Sequence, residues 1–164
     1  MRQRFMSSSI HKVDNKGRVS VPANFRRLIE REAEPAIYLI SDFRGRGYLE
    51  AYAFEELSQI HADIEAMPRY SPAREILEEE FIAKAFEVSL DDTGRILLPR
   101  DIREENGITD TAVFVGVGKH FQIRSPENRA ANKARIAAAL GPDHDPFALL
   151  PGSAPAADPF EALS

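Results

Sequence analysis

Two short runs, residues 14–18 and 91–95, each place an aspartate four positions before an arginine with a glycine between them. At this spacing the carboxylate can accept hydrogen bonds from nearby backbone N–H groups and can also hold the arginine side chain in one rotamer. The glycines, Gly17 and Gly94, can take the positive φ that a tight reversal needs. An arginine fixed in this way loses less entropy when it binds a phosphate or a guanine edge.

These two runs belong to a longer duplication in which all matched positions are separated by 77 residues. Apolar character is kept between the identical positions, since Val19 matches Ile96 and Val21 matches Leu98. The repeat indicates two units of about 60–80 residues, each with so thin a core that it needs its twin or another subunit. The identical pairs are Asp14 and Asp91, Gly17 and Gly94, Arg18 and Arg95, Pro22 and Pro99, and Arg26 and Arg103.

The motif admits two interpretations. In the first, the Asp-Gly-Arg turn only closes a hairpin, and its surface ion pair contributes roughly 0–1 kcal/mol to stability. In the second, the held guanidinium binds a polyanion. Because both copies share one strand, proline and helix frame, the repeat is strong support for the fold, and the two interpretations of the arginines stay open.

Each copy changes from a strand to a short helix at a proline, which cannot donate to a β-ladder but suits the first position of a helix. In the first copy Phe25, Leu28 and Ile29 have the i, i+3, i+4 spacing of one buried face. Each helix then leads into a hairpin with a glycine-containing turn. The predicted elements are strand 18–21, helix 22–30 and hairpin 36–52, and then strand 95–98, helix 99–105 and hairpin 111–124.

Three further helices and a tail complete the predicted organisation. An apolar stripe predicts a helix over residues 54–67, and Ser71 followed by Pro72 is typical of the start of a helix whose stripe runs to Ala85. An alanine-rich stretch predicts a helix over residues 127–140. The predicted segments are a first lobe (1–55), connecting helices (56–87), a second lobe (88–140) and an acidic tail rich in proline and alanine (141–164), which we expect to be disordered.

The charge of the chain is unevenly distributed. The formal net charge is -5, yet residues 1–27 carry seven Lys and Arg residues against the single acid Asp14. Residues 50–80 are the reverse, with nine acids against two arginines. Polyanion binding depends on the local field of a patch, so the basic N-terminal region is compatible with a nucleic-acid ligand.

Composition excludes several functions. The chain has no cysteine, which excludes disulfides, Fe–S clusters and thiol nucleophiles and fits a reducing cytosol. No stretch approaches the about 20 apolar residues that span a bilayer, and the first residues lack the apolar centre of a secretory signal. We therefore expect a cytoplasmic protein without a membrane partner.

No catalytic or metal-binding constellation is visible in the sequence. The four histidines are scattered without metal-ligand spacing, and we expect them to be surface or packing residues. The glycines at residues 45–47 and 116–118 lie in predicted hairpin turns and complete no phosphate-binding fingerprint. Carboxylates are numerous, but they lie on predicted solvated helix faces. We expect no enzyme, no catalytic residue, no cofactor, no metal and no small-molecule substrate.

Both copies follow the pattern D-x-x-G-R-[VI]-x-[VL]-P-x-x-[FI]-R, and His-Lys-Val at residues 11–13 precedes the first. Together with the Gly-Val-Gly turn at residues 116–118 and the intervening helices, this pattern resembles the MraZ family of bacterial regulators over residues 5–135. Either copy alone is similar to the wider AbrB/SpoVT superfamily. The tail after Gly141 extends beyond this resemblance.

The resemblance implies an α+β, mainly β fold, in which tandem swapped-hairpin AbrB-like double-split β-barrel halves lie in one chain with connecting helices. It also implies a ring-shaped homo-oligomer that binds short direct repeats in double-stranded promoter DNA of the bacterial division and cell-wall gene cluster, in the nucleoid. In the family the D-x-x-x-R element is the proposed DNA contact, which falls on Asp14 with Arg18 and on Asp91 with Arg95. The alternative is an antitoxin-like protein-binding module of the same superfamily that uses residues 141–164.

The two copies differ in charge. Thr93 stands where the first copy has Lys16, and residues 91–103 carry as many acids as bases, so we expect the first copy to dominate phosphate attraction. Arg26 and Arg103 have a second interpretation, in which each pairs with an acid of a neighbouring element. The candidate DNA-binding residues are Asp14, Lys16, Arg18, Lys12, Arg26, Arg27, Asp91, Arg95 and Arg100, and the candidate turn residues are Gly17, Gly94, Pro22 and Pro99.

Overall fold

The computed structural model describes residues 4–152 and places the strands of this part of the chain in two antiparallel sheets. Six strands form one sheet in the order β1-β7-β8-β4-β3-β5, and β2 pairs with β6 in a two-stranded ribbon. The strands are β1 (Ser8–Lys12), β2 (Arg18–Ser20), β3 (Ala36–Ser41), β4 (Leu49–Ala53), β5 (Phe86–Ser89), β6 (Arg95–Leu97), β7 (Thr111–Gly116) and β8 (Phe121–Arg124).

Helices connect and flank these strands. The predicted fold class, α+β and mainly β, is confirmed, whereas the swapped-hairpin barrel description stays a prediction. The helices of the described residues are α1 (Ala23–Glu30), α2 (Phe54–Glu65), α3 (Pro72–Leu77), α4 (Arg100–Glu105) and α5 (Pro126–Leu140), with a π-helical turn at Glu78–Ile82 and a 3-10 turn at Pro146–Leu149.

The two copies of the repeat share the six-stranded sheet. The hairpin β3–β4 of the first copy joins the hairpin β7–β8 of the second through β4 and β8, with Leu49 opposite Ile123. The leading strand of each copy pairs with the hairpin of the other: β1 lies along β7, and β5 lies along β3. Each copy therefore completes its sheet with its twin, as expected for units with thin cores. The division of the chain into the four predicted segments stays a prediction.

One continuous hydrophobic core lies under the sheet and the ribbon. Four phenylalanines form its centre: the Phe25 ring lies 4.9 Å from Phe121 and 5.4 Å from Phe5, and Phe114 lies 6.0 Å from Phe121. Val19 and Ile96 enter the same core from the ribbon. Since α1 contributes Phe25 and Ile29 from one face, the predicted spacing of its apolar residues is the reason that it packs here.

The helix that follows Ser71 is shorter than the apolar stripe predicts. Ser71 caps α3 by accepting a hydrogen bond from the Arg74 backbone N–H at 3.2 Å, as its position before Pro72 predicts. The α-helix ends at Leu77, and the chain widens into the π-helical turn. This turn places Phe81 edge-on against Tyr52 at 5.5 Å, so packing against the sheet overrides the regular helical period.

A second compact unit begins after Pro126. It consists of most of α5, followed by the 3-10 turn, in which the Asp145 side chain accepts a hydrogen bond from the Phe147 backbone N–H at 3.0 Å. The remainder of the predicted acidic tail, residues 153–164, lies outside the described residues. No helix within residues 4–152 is long and apolar enough to cross a membrane.

Candidate nucleic-acid interface

The first motif folds into a turn in which one carboxylate has two tasks. Asp14 Oδ1 accepts hydrogen bonds from the backbone N–H groups of Lys16 at 3.0 Å and Arg18 at 2.8 Å. Its Oδ2 accepts from Arg18 Nε at 2.7 Å. Gly17 has φ +94°, which an L side chain rarely adopts. The carboxylate therefore stabilises the turn and fixes the arginine that follows it.

The second motif repeats this geometry. Asp91 Oδ1 accepts from the backbone N–H groups of Thr93 and Arg95, both at 2.9 Å, and Oδ2 accepts from Arg95 Nε at 3.0 Å. Gly94 has φ +78°. The Thr93 hydroxyl adds a hydrogen bond to Asp91 Oδ1 at 2.9 Å. Thr93, which replaces Lys16 of the first copy, therefore stabilises the turn of the second copy.

Hydrogen bonding favours the charged form of both turn aspartates. The N–H groups of Arg18 and Lys16, together with the guanidinium, lower the pKa of Asp14 to about 2. The equivalent donors from Arg95 and Thr93 lower the pKa of Asp91 as well. Both carboxylates are therefore ionised at neutral pH, and each presents a charged acceptor to its arginine.

The two turns are joined by the ribbon of β2 and β6. Val19 lies opposite Ile96, so the central residue of each strand faces its own counterpart in the repeat. Both of these side chains are 1% exposed. Since residues alternate between the two faces of a strand, the flanking residues share the outer face. That face carries Arg18 opposite Leu97 and Ser20 opposite Arg95.

Both motif arginines line one groove of about 410 Å³ beside the ribbon. The Arg18 side chain is 39% exposed and that of Arg95 is 36% exposed, so each guanidinium is held by its aspartate and still accessible. Lys12, at the end of the edge strand β1, adds a third cation to the lining, and Asp110 adds an acid. The groove presents fixed arginines from both copies on one surface.

The other predicted DNA-binding residues lie in different surroundings. Lys16 and Arg27 are exposed, whereas Arg26 is half-buried with its side chain over Gly94. Arg100 is exposed on α4, where its Nε donates to Glu104 Oε1 at 3.0 Å. Pro22 and Pro99 were predicted as the first helical residues, but they are the N-cap residues of α1 and α4, which each start one position later.

Four residues of this surface were not among the predicted site residues. They are Ser20 and Leu97 on the outer face of the ribbon, and Asp110 and Thr111 in the groove. Ser20 and Leu97 share a face with Arg18 and Arg95 through strand alternation, whereas Asp110 and Thr111 reach the groove only because β1 pairs with β7. The repeat itself could have indicated the ribbon residues. If the two equivalent strands pair in antiparallel fashion about their central residues, the residue opposite each arginine must lie on the same face as that arginine.

Two of the histidines, His11 and His120, pack against aromatic rings of the first compact unit, Met1–Pro126. His11 contacts the Phe114 ring at 5.3 Å, and burial together with the charge of Arg26 lowers its pKa. His120 stacks on Tyr52 at 4.6 Å and pairs with Glu50. Within residues 4–152 no group of three or more His, Asp or Glu side chains is placed to hold a metal ion.

Comparison with known proteins points to one family. The family described as "MraZ protein, putative antitoxin-like" matches residues 81–138. A protein named Transcriptional regulator MraZ from a Ruegeria species is 37% identical over 165 residues, which cover 93% of this chain and 98% of the relative. Proteins of the same name from Ruegeria pomeroyi and Rhodospirillum rubrum are 36% and 37% identical and cover 93% and 80% of this chain.

Proposed function

The chain belongs to the MraZ family, and from this premise we propose that it is a transcriptional regulator that binds double-stranded promoter DNA through the outer face of the β2–β6 ribbon. One observation carries the proposal. Two guanidiniums, each fixed by its own carboxylate at 2.7 Å and 3.0 Å, line a single groove. Pre-positioned arginines suit bidentate contacts with guanine edges or phosphates.

The shape of the ribbon supports this assignment. The major groove of B-DNA is about 12 Å wide and admits a two-stranded β-ribbon. In β2 and β6 the buried pair Val19 and Ile96 faces the core, so the opposite face is available to a ligand. Arg18 and Arg95 then serve as base or phosphate contacts from one diagonal of this face, and Ser20 and Leu97 occupy the other diagonal.

Nearby charge supplies the attraction that does not depend on sequence. Lys12 lines the groove, and Lys16 and Arg27 are exposed in the same basic N-terminal region. Phosphate neutralisation by such residues releases counterions, so binding weakens as the salt concentration rises. The ion pair of Arg100 with Glu104 makes Arg100 a weaker contributor than these residues.

One ribbon offers few contacts, so binding to an isolated site is expected to be weak. We propose that several copies assemble in a ring and that adjacent ribbons engage successive short direct repeats, because linked contacts raise avidity without any new contact. The family resemblance supports the promoter of the bacterial division and cell-wall gene cluster as the target, and hence a location on the nucleoid. Together these give a regulator that acts by occupying repeated sites.

The direct test is a gel shift at fixed salt that compares Arg18→Ala and Arg95→Ala with the wild type. Loss of a bidentate arginine contact of about 1–3 kcal/mol predicts a 5- to 150-fold weaker affinity for Arg18→Ala. A smaller loss is expected for Arg95→Ala, because Thr93 replaces the lysine of the first copy. Arg69→Ala, which removes an exposed arginine outside the groove, is the charge-matched control and is expected to bind normally.

The size of the assembly is measured for each variant in parallel. If Arg18→Ala keeps both its assembly and its affinity, the contact assignment is wrong. If the wild type binds DNA of no sequence at low salt, DNA binding is wrong altogether, and the protein-binding alternative based on residues 141–164 takes its place.

A further inference from the structure

The arginine of each short helix lies over the turn of the other copy. An added Cβ at Gly94 would lie 2.2 Å from Arg26 Nη1 and 2.5 Å from Arg26 Cδ. An added Cβ at Gly17 would lie 2.8 Å from Arg103 Nε. Since Arg26 and Arg103 are equivalent in the repeat, and so are Gly17 and Gly94, the contact is reciprocal. Only a residue without a side chain leaves room for a guanidinium at this point of the turn.

Backbone hydrogen bonds tie the same parts together. The Leu98 N–H donates to the Gly17 carbonyl at 2.8 Å, and the Val21 N–H donates to the Gly94 carbonyl at 3.0 Å. Where Arg103 lies over the turn of the first copy, its Nε also donates a hydrogen bond to the Leu98 carbonyl at 3.0 Å. The helix arginine, the end of its own strand and the opposite turn therefore form one connected unit in each half.

The surroundings of Arg26 argue against a role as a phosphate contact. Its Nε is buried and has no hydrogen-bond partner within residues 4–152, so a phosphate outside the protein does not reach that atom. The second interpretation, in which Arg26 and Arg103 pair with acids of neighbouring elements, is wrong. Within the described part of the chain, neither arginine forms an ion pair with a carboxylate. By contrast, the next residue, Arg27, is exposed.

We infer that Arg26 and Arg103 are positioning residues: each holds the DNA-contacting turn of the other copy, and neither contacts DNA itself. The DNA part of this inference rests on the proposed function, whereas the contact between copies does not. Through this pair of contacts the two turns depend on each other. Loosening one helix arginine is therefore expected to disturb the motif of the other copy more than the motif of its own copy.

A double-mutant cycle tests the contact without DNA. Gly94→Ala places a methyl group against the Arg26 side chain, so removing that side chain in Arg26→Ala is expected to return part of the lost stability in the double variant. The matched cycle uses Gly17→Ala with Arg103→Ala. Here the Leu98 carbonyl oxygen lies 2.4 Å from the added Cβ and stays in place, so no such return is expected. The midpoints of urea unfolding at constant pH give both results. If the midpoint shift of the double variant equals the sum of the shifts of Gly94→Ala and Arg26→Ala, the contact is contradicted.

The dependence of DNA affinity on salt separates positioning from phosphate contact. Arg26→Met is expected to weaken binding and leave the slope of log affinity against log salt unchanged, whereas Arg27→Met is expected to reduce that slope by about 0.9 per engaged subunit. Arg26→Lys keeps the charge but loses the planar group, and it is expected to bind as weakly as Arg26→Met.

Two outcomes overturn the positioning role: a slope for Arg26→Met reduced as in Arg27→Met, or full rescue of affinity by Arg26→Lys. If the wild type binds no DNA, the proposed function fails and the glycine cycle alone decides whether the two copies hold each other. If the glycine variants do not fold, Arg26→Met and Arg103→Met test the contact instead, because they keep both glycines. Amide hydrogen exchange is then expected to become faster in the turn of the other copy. Unchanged exchange of that turn contradicts the contact.

Discussion

The turn aspartates divide their two oxygens between backbone and side chain. In each copy Oδ1 binds backbone N–H groups and Oδ2 binds the arginine Nε. A turn of this kind and its functional side chain therefore share a single anchor. Replacing Asp14 changes the shape of the turn and the position of Arg18 together, so loss of DNA binding in such a variant does not by itself identify Asp14 as a contact.

The lowered pKa of Asp14 predicts how stability depends on pH. The folded pKa is about 2, against about 3.9 in an unfolded chain, so the carboxylate contributes stability that is present above pH 4 and is lost as the pH falls towards 2. Asp14→Asn lacks this charge. The difference in free energy of unfolding between the wild type and Asp14→Asn is therefore expected to be largest at pH 5–7 and to shrink towards pH 3.

Urea unfolding at several pH values followed by circular dichroism measures this difference. Asp91→Asn is expected to show the same trend, because the pKa of Asp91 is lowered by the equivalent hydrogen bonds. A difference that stays constant between pH 7 and pH 3 contradicts the contribution of the charged form.

The residue scale also shows what the sequence could predict about the site. The spacing of Asp14, Gly17 and Arg18 is sufficient to infer a positive-φ turn and a carboxylate that holds the guanidinium, because all of these interactions are local. The packing of Arg26 on Gly94 could not be inferred, since it depends on how the two copies pair. Local chemistry was therefore predictable, and contacts between the copies were not.

The ribbon is the element on which the proposed interface depends, and it is short. Its strands of three residues each are too short to be stable alone, so the ribbon is held by the core through Val19 and Ile96. This buried pair and the contacts that each copy makes with the turn of the other together set the relative position of the two turns.

Truncation of the buried residue in β6 is expected to be costly. Ile96→Ala removes a side chain that is 1% exposed and is expected to lower the free energy of unfolding by about 2–5 kcal/mol. Leu97→Ala, the neighbouring position at 52% exposure, is the control and is expected to change stability by less than about 0.5 kcal/mol. Equal losses for the two variants in denaturant unfolding would show that the ribbon does not face the core as described.

Most elements were predictable from local patterns, and the exceptions have a physical reason. The starts of α1 and α4, the hairpins and the Ser71 cap follow from proline, glycine and apolar spacing. The leading strands β1 and β5 were missed, because their burial is shallow and their pairing partners lie in the other copy. Pairing order between distant strands leaves little trace in a single sequence.

At the scale of the whole molecule, the balance between basic and acidic regions favours binding by many weak contacts. In the proposed complex with DNA, a chain with net charge -5 can be attracted only through its basic region, so orientation and copy number must supply affinity. The proposed ring makes this measurable. A promoter fragment with three repeats is expected to bind about 10²- to 10⁴-fold more tightly than a fragment with one.

Fluorescence anisotropy with the two fragments, together with native mass measurement of the protein, tests the avidity. The control is a three-repeat fragment whose spacing is changed by half a helical turn, which places alternate repeats on opposite faces of the duplex. Similar affinities for one and three repeats, or a protein that is a monomer at the concentrations used, contradict the assembly.

The register of the ribbon has a consequence for the polarity of recognition. Because Val19 lies opposite its own duplicate, a half-rotation that exchanges β2 and β6 leaves the register of the ribbon unchanged. In the proposed complex with DNA, such a ribbon backbone has no intrinsic direction. The direction in which a subunit lies along an asymmetric repeat must then come from the positions where the copies differ, such as Lys16 against Thr93 and Ser20 against Leu97. Exchanging these side chains between the copies should reverse the sense in which a repeat is bound, with no change to the fold.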